Sequence, residues 1–90
     1  MISYASIDRL ESGFAVCEVE LLPVDESRPE DFASKFTVML EISLKEIYNM
    51  LSEVDEGDIL VVEHDGEEIE FIYCKDDIEK RRRIELLEAM

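Results

Sequence analysis

The chain has 90 residues, 47% hydrophobic and 37% charged, with a formal net charge of −15 at pH 7. That length supports one hydrophobic core, so a single domain over residues 1–90 is expected, and the apolar content argues against disorder. No apolar run can span a bilayer, and Met1-Ile2-Ser3-Tyr4-Ala5-Ser6 lacks the basic-then-apolar pattern of a signal peptide; a cytoplasmic location is the default expectation.

The first signal in the chain is a hairpin. Ile7 to Val19 places Ser12-Gly13 between two β-prone runs, and the glycine supplies the positive φ of a tight turn. A loop of two residues and one of three remain open alternatives here. Cys17 on this hairpin, and Cys74 later, read as small reduced core residues on strands, because no Cys-x-x-Cys pattern is present. Pro23 to Ser34, with Pro23, Pro29 and several acids, reads as an exposed excursion. Phe36 to Ile42 then alternates, with Phe36, Val38, Leu40 and Ile42 on one face of a third strand.

Ser43 can cap a short helix near residues 44–53, in which Leu44, Ile47, Tyr48 and Leu51 recur at helical spacing. Gly57-Asp58 returns the chain to the sheet. In Ile59 to Tyr73, Asp65-Gly66 signals a two-residue type I′ turn that pairs His64 with Glu67, Val62 with Ile69 and Leu60 with Phe71. That register puts Leu60, Val62, Ile69 and Phe71 on the core face and leaves Ile59, Val61, Glu63, Glu68, Glu70 and Ile72 on a mixed face.

Beyond a β body of residues 1–75, the period becomes helical over 76–90. Asp76 or Asp77 caps this helix, and Ile84, Leu87 and Met90, widened by Leu86, form the stripe expected to pack on the sheet. Charge divides at the same boundary. Residues 1–74 carry 19 acidic residues against four basic ones (Arg9, Arg28, Lys35 and Lys45), whereas residues 75–90 carry five of each. The expected fold is mainly β (α+β): a small five-stranded antiparallel, strongly curved sheet, or an SH3-like or OB-like barrel, with a C-terminal helix.

Three segments in order carry a resemblance: Ile7-Asp8-Arg9-Leu10-Glu11-x-Gly13-x-Ala15-Val16; Glu56-Gly57-Asp58-Ile59-Leu60; and Asp76-Asp77 followed by Glu79-Lys80-Arg81-Arg82-Arg83-Ile84-x-x-Leu87. Together they resemble a family of short, uncharacterised Firmicute-type bacterial proteins of unknown function. That family brings no catalytic residues to transfer. Its association with competence-type metallo-β-lactamase-fold hydrolases implies an accessory or partner-binding role. Leu22 to Lys35 is longer than the family's usual connection at this point.

Candidate chemistry is sparse. The one histidine, His64, reads as an exposed turn residue, because a zinc site needs three or four convergent ligands and no such spacing is present. Asp55, Glu56 and Asp58, and the acids around the second hairpin, read as solvated charge, since neither group matches a calcium loop. No catalytic, cofactor-binding or metal-binding residue is assigned, and no cofactor is expected. Lys80, Arg81 and Arg82, in the only basic cluster, are candidate partner contacts. The competing reading of Lys80 to Arg83 is that they pair with the acidic body and dock the helix, with Arg9 pairing beside Asp8.

So acidic a body repels nucleic-acid phosphates and anionic membranes, which disfavours direct binding to either. The leading expectation is a non-catalytic protein-binding or accessory module, monomeric or homodimeric, that uses an exposed sheet edge or the mixed face. An acidic nucleic-acid mimic that inhibits a DNA- or RNA-binding protein is the alternative. A small metal-dependent enzyme centred on His64 and nearby acids comes last.

Overall fold

The computed structural model describes residues 1–27 and 36–89. Strands β1 (Ile2–Glu11), β2 (Phe14–Glu20), β3 (Thr37–Ser43), β4 (Ile59–His64) and β5 (Ile69–Lys75) form one antiparallel sheet in the order β3-β2-β1-β4-β5. Helix α1 (Leu44–Met50) follows β3, and α2 (Asp77–Ala89) closes the described chain. Among the described residues no hydrogen-bonded ladder joins β3 to β5, so the sheet is open and does not form the barrel of the alternative expectation. Instead, α1 lies against both edge strands, β3 and β5. Pro29 and Ser34 of the expected excursion, Arg28, Lys35 and Met90 lie outside the described residues.

The first hairpin takes the two-residue loop. Glu11 pairs with Phe14, and both Ser12 (φ 23°) and Gly13 (φ 87°) have positive φ, as a primed turn requires. One residue on β1, Asp8, is inserted where the register shifts between Ile7 and Arg9. A bulge reverses the in-out alternation, which lets Ile7 and Leu10 both face the core despite their odd spacing. The bulge is anchored by Gly57, whose N–H donates to the Ile7 carbonyl at 2.8 Å, and by the Ile7 N–H donating to the Asp58 carbonyl at 2.9 Å.

Register builds the core. Ala5 stands opposite Val19 and Leu60, Cys17 opposite Ile7 and Leu40, and Ala15 opposite Ile42. These residues, with Val62, Ile72, Val54 and Ile47, form one buried cluster. On β3, Val38, Leu40 and Ile42 face inward as expected, but Phe36 precedes the strand and is 80% exposed. Ser43 caps α1, its hydroxyl accepting from the Lys45 N–H at 3.2 Å. Two turns of helix are too short to persist alone, so α1 is held by Ile47, its one fully buried residue.

The second hairpin departs from its expected register. The Asp65 carboxylate accepts from the N–H groups of Glu67 and Glu68, both at 2.8 Å, which draws four residues, 65–68, into the loop. His64 therefore pairs with Ile69, Glu63 with Phe71 and Val62 with Ile72, with Glu70 and Tyr73 inserted at two bulges. The consequence is an exchange of faces. Ile72 enters the core, while Phe71 turns to the surface.

Candidate functional site

The C-terminal helix docks with charge rather than with the expected apolar stripe. Ile84 and Leu87 are exposed, as is Ile78 at 74%, whereas Glu79 and Arg83 are buried. The physical reason lies in the sheet face beneath it, the side opposite the core, which presents the buried carboxylate of Glu20 beside Tyr4. Arg83 Nη2 lies 2.6 Å from Glu20 Oε1, its Nε donates to Glu79 Oε2 at 3.0 Å, and its guanidinium sits 5.1 Å from the Tyr4 ring centroid. Glu20 also accepts from the Ser27 hydroxyl at 2.7 Å. Asp76 caps the helix by accepting from the Glu79 N–H at 2.9 Å.

The candidate contacts Lys80, Arg81 and Arg82 divide accordingly. Lys80 is engaged within the fold: its ammonium donates to Asp58 Oδ1 at 2.6 Å. Arg81 is exposed. Arg82 is 63% exposed at its side chain and stands 3.6 Å from Glu79 Oε1. The three do not converge on one surface point. Arg9 pairs with Asp8 and Glu11 at the exposed bulge.

Asp58 is not the solvated acid expected from sequence. It is buried, and it accepts from the Asp55 N–H at 2.7 Å as well as from Lys80, with Lys75 at 4.0 Å. Burial alone would raise its pKa, but the Lys80 hydrogen bond, the Asp55 N–H and the two lysine charges hold it below the usual aspartate value.

His64 also differs from expectation. It is 2% exposed, with Nε2 2.9 Å from the Ser3 hydroxyl and Nδ1 accepting from the Gly66 N–H at 3.1 Å. Since Nδ1 is an acceptor, the proton of the neutral ring is on Nε2, which donates toward Ser3. In this tautomer the histidine has no free lone pair to take the serine proton, and both side chains are shut off from solvent. The pair fastens β1 to β4 and does not form a nucleophile and base. Among the described residues, no group of three or more His, Cys, Asp or Glu side chains is placed to hold a metal ion.

Burial, aided by the positive Met1 amine, holds the His64 pKa below 6.5, against the opposing pull of a Glu20 backbone hydrogen bond, Asp65 and Glu63. As pH falls through 6.5, the unfolded chain gains a proton before the folded one does. Stability from this group is therefore complete above that pH and declines below it, until the folded ring also protonates. Thermal melts at pH 7.5 and 5.5 are expected to show a larger fall for wild type than for His64→Asn, whose amide oxygen keeps the acceptor for Gly66. Equal falls would remove His64 as the titrating group.

Of the cysteines, Cys17 is buried, which pushes its thiol up to about 12, while Cys74 is exposed on β5; both are free. Sequence reasoning placed both inside.

One of the faces with exposed apolar side chains lies at β5 and α1. Phe71 and Tyr73 pack edge to face, with ring centroids 4.9 Å apart, yet are 46% and 48% exposed. Beside them a groove of about 210 Å³ runs between the helix and the strand. Ile42, Met50, Ile69, Ile72 and Phe71 supply its apolar surface, and Glu46, Asn49 and Glu70 its polar groups. The sequence signal for this site was weak, because Phe71 turns outward only through the bulge at Glu70.

No family model, curated protein or solved structure matches this chain. Among the described residues, no helix is long and apolar enough to cross a membrane.

Proposed function

We propose that the chain is a non-catalytic protein-binding module that engages its partner through the β5 and α1 face. The observation that carries this reading is the Phe71–Tyr73 pair, two large aromatic rings about half exposed on an edge strand. Aromatic side chains are the commonest energetic anchors of protein interfaces, because they bury a large area at small cost in rotamer entropy. Their exposure in a chain of net charge −15 is not needed for solubility and is unfavourable in water. The bulges at Glu70 and Tyr73 interrupt the free edge of β5, which disfavours continuous strand addition and leaves side chains as the means of contact.

The test is a paired capture. The tagged wild-type chain and a Phe71→Ser/Tyr73→Ser double variant are purified from the cells that make the protein, and bound proteins are compared by cross-linking and mass spectrometry. The variant is expected to keep its fold, with a melting temperature within several degrees of wild type, and to bind the specific partner at least about tenfold more weakly. Undiminished binding by the variant contradicts the reading. Binding that vanishes in moderate salt for both proteins would favour the mimicry of nucleic acid instead.

A further inference from the structure

We infer that the groove between α1 and β5 accepts an arginine side chain from a basic segment of the partner; this rests on the protein-binding reading above. The groove has two parts that suit one side chain. Its apolar surface, from Ile42, Met50, Ile69 and Ile72, matches an aliphatic stem, and its carboxylates, Glu46 and Glu70, match a cationic head. Phe71 is also among the lining residues, and an aromatic residue at the mouth of such a groove suits a guanidinium.

Charge complementarity selects this occupant. No cationic side chain lines the groove, and among the described residues neither Glu46 nor Glu70 is engaged in an ion pair. The buried carboxylates elsewhere differ in this respect. Glu20 and Glu79 meet Arg83, and Asp58 meets Lys80. Among the described residues the molecule thus covers its buried carboxylates with long cations, whereas the exposed Glu46 and Glu70 at the groove are open to a cation from outside. A second copy of the chain is a poor occupant, since two bodies each of net charge −15 would bring like charge together.

The probe is the blocked pentapeptide acetyl-Ala-Val-Arg-Val-Ala-amide, titrated into the full chain and followed by amide chemical shifts. Two control peptides replace arginine with norleucine or glutamate. The arginine peptide is expected to shift residues 42–50 and 69–73, and to bind about tenfold more tightly than the norleucine peptide, with no binding of the glutamate peptide. Glu46→Gln/Glu70→Gln is expected to remove the preference for arginine while leaving the melting temperature unchanged.

Equal affinity for norleucine and arginine, or shifts confined to other surfaces, would overturn the groove assignment. That failure is distinguishable from failure of the protein-binding reading: a partner captured from cells in a Phe71- and Tyr73-dependent manner would stand even if no peptide preferred the groove.

Discussion

Arg83→Ala is expected to destabilise the protein by about 3–5 kcal/mol, the cost of removing one member of a buried ion-pair cluster. The argument rests on what remains. Without the guanidinium, the carboxylates of Glu20 and Glu79, whose side chains are 5% and 4% exposed, lose the buried cation that both of them contact. The same change removes the cation over Tyr4. For a domain of this size, about 1 kcal/mol corresponds to roughly 4–8 °C, so the melting temperature should fall by at least ~12 °C.

Two controls separate this explanation from a generic loss of packing. Arg82→Ala, at an exposed position, should cost under about 1 kcal/mol. The triple change Glu20→Gln, Glu79→Gln and Arg83→Met should recover most of the stability, since replacing a whole buried charge cluster by neutral groups is far milder than breaking it. Urea titrations of all three variants provide the comparison. A loss below about 1 kcal/mol for Arg83→Ala would mean that α2 is not held by this cluster.

Ile47→Ala has the second large effect, about 2–5 kcal/mol. Ile47 is fully buried and is the only buried residue of α1, a seven-residue helix without enough length to persist by itself. It anchors the element that bridges the two edge strands. The expected signature has two parts. Equilibrium unfolding should show the loss of stability, and amide exchange should accelerate through residues 44–50 more than in β1 or β2. Binding at the β5 and α1 face should fall as well, because Glu46, Asn49 and Met50 ride on this helix. Ile47→Val, which keeps most of the side chain, should cost about 0.5–1.5 kcal/mol. Uniform acceleration of exchange across the sheet would contradict a local anchoring role.

Much of the fold was legible where a single residue decides a local conformation. Ser12-Gly13 set the first turn, Ser43 capped α1, and the alternation of Val38, Leu40 and Ile42 gave the inward face of β3. The second hairpin was misread because its loop is set by a side chain. The Asp65 carboxylate closes a longer turn than Asp-Gly alone implies, and every residue of β5 moves with it. His64 turned inward for a related reason, since its ring is held by Ser3 from another strand and by Gly66 within the loop.

The C-terminal helix was misread because its pattern was weighed by hydrophobicity alone. Its buried positions are chosen by Glu20 and Asp58, which are distant in sequence and whose burial no local pattern announces. The proposed binding face was the least legible part. It requires the bulge at Glu70, the outward turn of Phe71 and the placement of α1 to come together, and each of these depends on tertiary pairing.

The most direct test of the binding account is amide hydrogen exchange on the complex isolated from cells, compared residue by residue with the free chain. Protection on binding should concentrate at residues 42–50 and 69–75, with α2 unchanged. Protection confined to α2, around Arg81, Arg82 and the exposed Ile84 and Leu87, would contradict it and assign the interface to the helix instead.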